Sequence, residues 1–175
     1  MDPLGDSFRN RQIDIASLPD YEAVDFTIVS ENYLQKINIQ TGIFMLVCMF
    51  ITGILWFFFL DPTQSILLLC VISLYFMFRF WNNYKLYKSL GFAIRERDVI
   101  YKRGYIFNKT TVIPFNRVQH ASISRDIWDK LLGISSLKIF TAGGSGSDIG
   151  IPGLLPETAL KLKEALAHKI VQDDF

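Results

Sequence analysis

Between Ile37 and Phe78 the chain runs for 42 residues with one charged side chain, Asp61. A soluble domain built from 175 residues has no core large enough to hide such a stretch. A purely soluble enzyme, a disordered tail and a disulfide-stapled secreted module are therefore excluded. Gly42 to Leu60 is a run of 19 residues without a charge; as a helix it spans about 28 Å, close to the roughly 30 Å of a hydrocarbon core. A second run, Ser65 to Phe78, extends through Phe80 and Trp81 once Arg79 snorkels to the headgroups. One helix across both runs would be about 55 Å long and would hold Asp61 in mid-membrane at a cost of about 3 kcal/mol.

Two antiparallel helices remove both penalties. Asp61 becomes the N-cap of the second helix, Pro62 fits its first position and Gln64 completes an approximate capping box. The sequence predicts a transmembrane helical hairpin over 42–81, with helices at 42–60 and 62–81. The turn carries no Lys or Arg, whereas Lys36 precedes the first helix and Arg79, Lys85 and Lys88 follow or end the second. The positive-inside rule then puts both termini in the cytoplasm of a multi-pass protein of the inner or plasma membrane. Trp56 at one end and Trp81, Tyr84 and Tyr87 at the other suit interfacial belts. An acidic start with its apolar run 40 residues in does not read as a cleaved signal peptide. The competing reading is a helical hairpin buried in a soluble fold. Both cysteines, Cys48 and Cys70, fall inside the helices and read as small apolar filler; no disulfide, metal site or cofactor is indicated.

Charge divides the rest. Residues 1–41 hold 3 basic and 7 acidic side chains, a balance of −4, and residues 79–175 hold 15 and 9, a balance of +6. The first segment reads as an acidic N-terminal cytoplasmic arm. Within it Asp25-Phe26-Thr27-Ile28-Val29 either adds a strand to the following domain or remains a tether; Asp20, Glu22 and Asp25 beside a basic domain favour docking.

From Leu90 onward short β-like runs alternate with turns. Gly91–Arg95 reads as a strand, Glu96–Asp98 as its turn, and Val99, Tyr101 and the residues after Gly104 as a second strand, with Gly104 a bulge or bend within it. Asn108 and Lys109 turn the chain into Thr111–Ile113. Arg117–Ser124 alternates, Asp126–Leu132 reads as a short helix ended by Gly133, and Leu137–Thr141 and Ile149–Ile151 are further strands. Leu155, Ala159, Leu162, Leu166 and Ile170 recur at helical spacing, predicting an amphipathic helix from Pro156. The expected class is α+β: the hairpin, then a cytoplasmic domain over 89–172 in which five or six strands form a small sheet or partial barrel closed by a C-terminal helix.

The strings Ile113-Pro114-Phe115-Asn116-Arg117-Val118-Gln119-His120, Leu131-Leu132-Gly133 and Leu137-Lys138-Ile139-Phe140-Thr141-Ala142-Gly143-Gly144 resemble the second bacterial pleckstrin-homology (PH) family. Two helices before one such domain is similar to the YdbS-like proteins, formerly called membrane-flanked domain proteins. The resemblance covers roughly 42–172 and leaves the first 40 residues aside. It implies a PH-like fold in a membrane-anchored, non-enzymatic protein that pairs with a larger membrane protein carrying several such domains, or with itself. A part in tolerance of cell-envelope stress is one expectation. The family supplies no ligand site to carry over.

Candidate sites therefore come from the residues. Arg95, Arg97, Lys102, Arg103, Lys109 and Arg117 gather in the first hairpins and are candidates for contact with lipid headgroups or other anions; positive-inside bias alone would also place cations there. Arg117-Val118-Gln119-His120 is either a partner-binding edge exposing Gln119 and His120, or structural, with Val118 and His120 facing the core; strict alternation favours the second. His120 with Ser122 or Ser124 and Asp126 makes a catalytic set on paper that no spacing requires. Gly143-Gly144-Ser145-Gly146-Ser147 lacks a P-loop ending and reads as a hairpin loop, with Gly143, Gly144 and Gly146 candidate partner contacts. Expected partners are membrane lipids and a partner membrane protein or second copy, with no nucleic acid. A lipid- or peptide-sensing module is the alternative, and a membrane enzyme the remoter one.

Overall fold

The computed structural model describes residues 24–58, 61–143 and 148–173, with side chains as far as His168. Two helices come first, α1 (Glu31–Phe58) and α2 (Pro62–Ser89), each of 28 residues and so about 42 Å long. The second starts as its sequence dictates: Asp61 is the N-cap, Pro62 takes the first position, and Gln64 Oε1 accepts from the Asp61 amide at 3.4 Å. Both helices are long and apolar enough to cross a membrane, and only 11% of the apolar window of each is buried inside the chain. Phe50, Phe57, Leu74 and Met77 face outward at 70% exposure or more. Within the chain the hairpin is therefore mostly uncovered.

Small polar residues line the seam between the helices. Thr41, Thr52 and Ser65 are buried, and the first two hydroxyls donate back to the carbonyls of Ile37 and Cys48 at 2.7 and 2.8 Å. Nearer the domain, the Asn83 amide donates to Thr41 Oγ1 at 2.9 Å and to Asn38 Oδ1 at 3.2 Å. Asn83 thus ties α2 to α1, while the two threonine hydroxyls bond within their own helix.

Two three-stranded antiparallel sheets follow, in the orders β1-β2-β3 and β4-β5-β6. The first comprises β1 (Gly91–Ile94), β2 (Asp98–Arg103) and β3 (Lys109–Pro114). A 3-10 turn, Phe115–Arg117, leads into the second, made of β4 (Val118–Ser124), β5 (Ser135–Thr141) and β6 (Ile149–Leu154), with the short helix α3 (Ile127–Leu131) between β4 and β5. Helix α4 (Pro156–Asp173) closes the fold. Val99, Tyr101, Ile113 and Phe115 meet Val118, Leu137, Ile139 and Ile151 in one core, over which α4 lays Ala159 and Leu166. Leu155, expected on the apolar face of that helix, precedes it and is exposed, and the side chain of Ile170 lies outside those described.

Two departures from the sequence reading have clear causes. The first helix begins at Glu31 rather than Gly42, because its first turns are bound to the domain. Lys36, buried, reaches Asp126 Oδ2 at 2.6 Å and Asp129 Oδ1 at 2.7 Å, both at the start of α3. Asn32 Nδ2 donates to the Leu132 carbonyl at 2.8 Å, and the Ser30 amide to that of Gly153 at 2.8 Å. Gly153 has φ +68°, and a Cβ there would sit 2.6 Å from Tyr33 Cβ, so only glycine lets α1 lie this close to β6. Ahead of the helix, Thr27 and Phe92 exchange backbone hydrogen bonds of 2.9 and 3.1 Å, an isolated antiparallel bridge at the outer edge of β1. The Phe26 segment thus docks by backbone pairing, while Asp20 and Glu22 lie outside the described residues.

The second departure is His120. Alternation sends it to the core with Val118, but only Val118 is buried. Val118 faces Thr141 while His120 faces Phe140, so Gln119 is an extra residue in the ladder. This bulge shifts the register by one and turns both Gln119 and His120 outward.

The Lys36 clamp makes two predictions. Lys36→Met leaves two carboxylates without their cation, one of them buried, and lowers stability by about 3 kcal/mol; adding Asp129→Asn recovers part of the loss, read by thermal unfolding of the full chain in detergent. The Asp126 carboxyl is held below its ordinary 3.8, first by the Lys36 hydrogen bond and then by the Asp129 amide. Its contribution is thus complete above the ordinary value and is lost as pH falls through the depressed one. Acid titration of the wild type should weaken the clamp only below about pH 4, and Lys36→Met should shrink that acid-dependent step to what the Asp129 amide still supplies.

Candidate functional site

The six basic candidates do not form one cluster. In the first sheet Gly91 pairs with Lys102 and Ile94 with Val99, so the turn between β1 and β2 and the turn between β2 and β3 lie at opposite ends. Helix α2 delivers the chain to Gly91, which places the β2–β3 turn at the helix end. A ring contact agrees: Tyr105 meets Trp81 edge-on at 6.0 Å. Lys102, Arg103 and Lys109 therefore stand near the hairpin, and Arg103 faces Lys109 across the ladder. Arg95, Arg97 and Arg117 gather at the other end, where the Phe115 amide donates to the Arg97 carbonyl. Arg95 is also occupied, its guanidinium forking onto Asp98 at 2.7 and 2.6 Å.

Gly104 makes the helix-end turn possible. Its φ is +94°, and a side chain there would overlap the Phe107 carbonyl. The tightened loop brings Lys109 back beside Arg103 at the rim of a cleft of about 640 Å³. Tyr33, Leu86 and Leu90 line this cleft from the helices, Tyr101 and Phe107 from the first sheet and its loop, and Ser136, Lys138, Gly150 and Pro152 from the second sheet. Among the described residues that line it, Arg103, Lys109 and Lys138 are the cations and none is a carboxylate. Burial pushes the Tyr101 phenol up to about 12, so it keeps its proton at ordinary pH and stays a donor.

Chemically the cleft offers exposed basic side chains above buried leucine and tyrosine. That pairing suits an anionic group attached to an apolar one. Two of its three cations were legible in the sequence and Lys138 was not, because it comes from the other sheet. The only sign of it was alternation, which points Lys138 outward between the buried Leu137 and Ile139.

The partner-contact candidates lie elsewhere. Gln119 and His120 are exposed on the bulge, with the His120 ring stacked on Phe140 at 4.3 Å, beside a shallow depression that Lys163 and Ala167 of α4 share. Asp126, proposed on paper as a companion of His120, is taken by Lys36 and the Asp129 amide. Gly143 is an exposed turn residue, and Gly144 and Gly146 lie outside the described residues.

No curated protein and no solved structure matches the chain. A family model does: that of the bacterial PH domain, over residues 33–170. The match starts within α1, so it takes in the helices together with both sheets and most of α4. It holds 138 of the 175 residues, and the chain belongs to the bacterial PH domain family.

Proposed function

We propose that this protein is a membrane-anchored recognition module whose cleft takes an anionic amphiphile, such as the headgroup and upper chain of an acidic phospholipid. The hairpin crosses the inner or plasma membrane with both termini in the cytoplasm, as the placement of Lys36, Arg79, Lys85 and Lys88 favours. Its output is binding rather than chemistry. The observation that carries the reading is the cleft itself: Arg103, Lys109 and Lys138 converge over buried leucine and tyrosine at the helix end of the domain. A ligand confined to the bilayer meets such a site at high effective concentration.

Native mass spectrometry of the full chain in mild detergent tests this. The wild type should retain acidic phospholipid in preference to zwitterionic lipid. Each cation near an anionic surface contributes about 1 kcal/mol, so replacing Arg103, Lys109 and Lys138 together by Gln should weaken retention by about a hundredfold. Equal retention of acidic lipid by the two proteins would count against the cleft.

A second reading is supported by the β4 bulge, which presents Gln119 and His120 together beside Lys163 and Ala167, none of them among the residues lining the cleft. There the module assembles with a partner membrane protein or a second copy, as YdbS-like proteins with two helices before one domain would, and envelope stress tolerance would follow from that assembly. Gln119→Arg should abolish co-purification of such a partner while leaving lipid retention intact.

A further inference from the structure

The loop between β2 and β3 carries Tyr105, Ile106 and Phe107 in succession, and they are 42%, 67% and 88% exposed. Three large apolar side chains displayed at a hairpin tip are a liability in water. Their position explains them. Tyr105 touches Trp81, and the Lys85 ammonium lies 5.6 Å from the Tyr105 ring and 5.8 Å from the Trp81 ring. Trp81 also stands near the end of the outward apolar band of α2: Leu74, Met77 and Phe78 are exposed before it, and the exposed positions after it are Tyr84 and Lys88. Lys102, Arg103 and Lys109 flank the loop. An aromatic pair with a lysine above it and cations around it is the composition that settles at the headgroup level of an anionic leaflet.

We propose that the β2–β3 loop is an interfacial wedge, with Ile106 and Phe107 entering the boundary between headgroups and acyl chains beside Trp81. The occupant of this patch is lipid, because the patch is continuous with the band of α2 that faces lipid. The inference rests on the hairpin crossing the bilayer, as proposed above, and holds whatever fills the cleft. Contact at the loop tip and at the helices fixes the domain against the membrane at separate points and sets the mouth of the cleft at headgroup depth.

The test uses the full chain with Cys48 and Cys70 replaced by Ser. It is reconstituted in vesicles of phosphatidylethanolamine and phosphatidylglycerol, some brominated at a shallow acyl position. An environment-sensitive fluorophore is attached at Phe107→Cys, and in a separate variant at Ile106→Cys, which keeps Phe107. Reference labels go at Val71→Cys in the apolar band and Arg97→Cys at the far turn. The expected result is blue-shifted emission and loss of intensity in brominated vesicles at 106, 107 and 71, with neither change at 97. Quenching at 71 with none at 106 or 107 overturns the wedge and leaves the spanning hairpin standing, the result for a loop that docks on a protein. Absence of quenching at 71 as well removes the spanning reading and the wedge with it. Equal quenching at 97 overturns the wedge in favour of a domain lying flat on the lipid.

Discussion

The ammonium of Lys36 is the point on which the relation between helices and domain depends. It sits buried between two carboxylates that α3 already uses to cap itself: the Asp129 amide donates to Asp126 Oδ1 at 2.7 Å, and Lys36 completes the set from another element. Burying a lysine is costly unless its charge is matched and its protons are bonded. Once formed, though, the contact is directional in a way that apolar packing is not. It fixes the rotation of α1 about its axis, because turning the helix by one residue would swing Lys36 about 100° away from both partners.

With α1 fixed, the other contacts become mutually consistent. Tyr33 lies over Gly153, Asn32 reaches the end of α3, and Asn83 of α2 bonds to Thr41 and Asn38. The Tyr87 hydroxyl donates to the Val29 carbonyl at 3.3 Å, tying the second helix to the segment ahead of the first. That segment bridges to Phe92 at the edge of β1. The helical hairpin is thus inserted in the chain between one edge of the first sheet and the rest of that sheet. Helix and sheet share a boundary held by hydrogen bonds from both sides, in place of a flexible linker.

Much of this could be seen in the sequence wherever the signal was local. Asp61-Pro62-Gln64 announced the helix start, Gly133 announced the end of the short helix, and the spacing of Ala159, Leu162 and Leu166 announced the closing helix. What escaped depended on contacts between distant residues. Glu31 to Gln40 looked like part of a polar arm because nothing local shows that Lys36 will meet Asp126 and Asp129, 90 and 93 residues away. His120 looked buried because strict alternation cannot register one extra residue in β4. The run Tyr105-Ile106-Phe107 read as a continuation of the second strand past Gly104, but that strand ends at Arg103 and the run forms the turn beside Trp81.

The same distinction separates the cleft from a by-product of topology. Positive-inside bias acts on basic residues within about 15–20 positions of a membrane helix. Arg95, Arg97 and Arg103 all fall inside that window after Ser89, and Lys109 stands at its limit. Lys138 is 49 residues beyond Ser89 and sits on the middle strand of the second sheet. Sequence bias has no hold on it there, yet folding sets it on the cleft that Arg103 and Lys109 line. Meanwhile Arg95, well inside the window, is neutralised by Asp98. A bias that merely accumulated cations near the helices would leave the nearer arginine free and the distant lysine elsewhere. The observed selection, in which the fold imports one cation and cancels another, follows the shape of the cleft instead of distance along the chain.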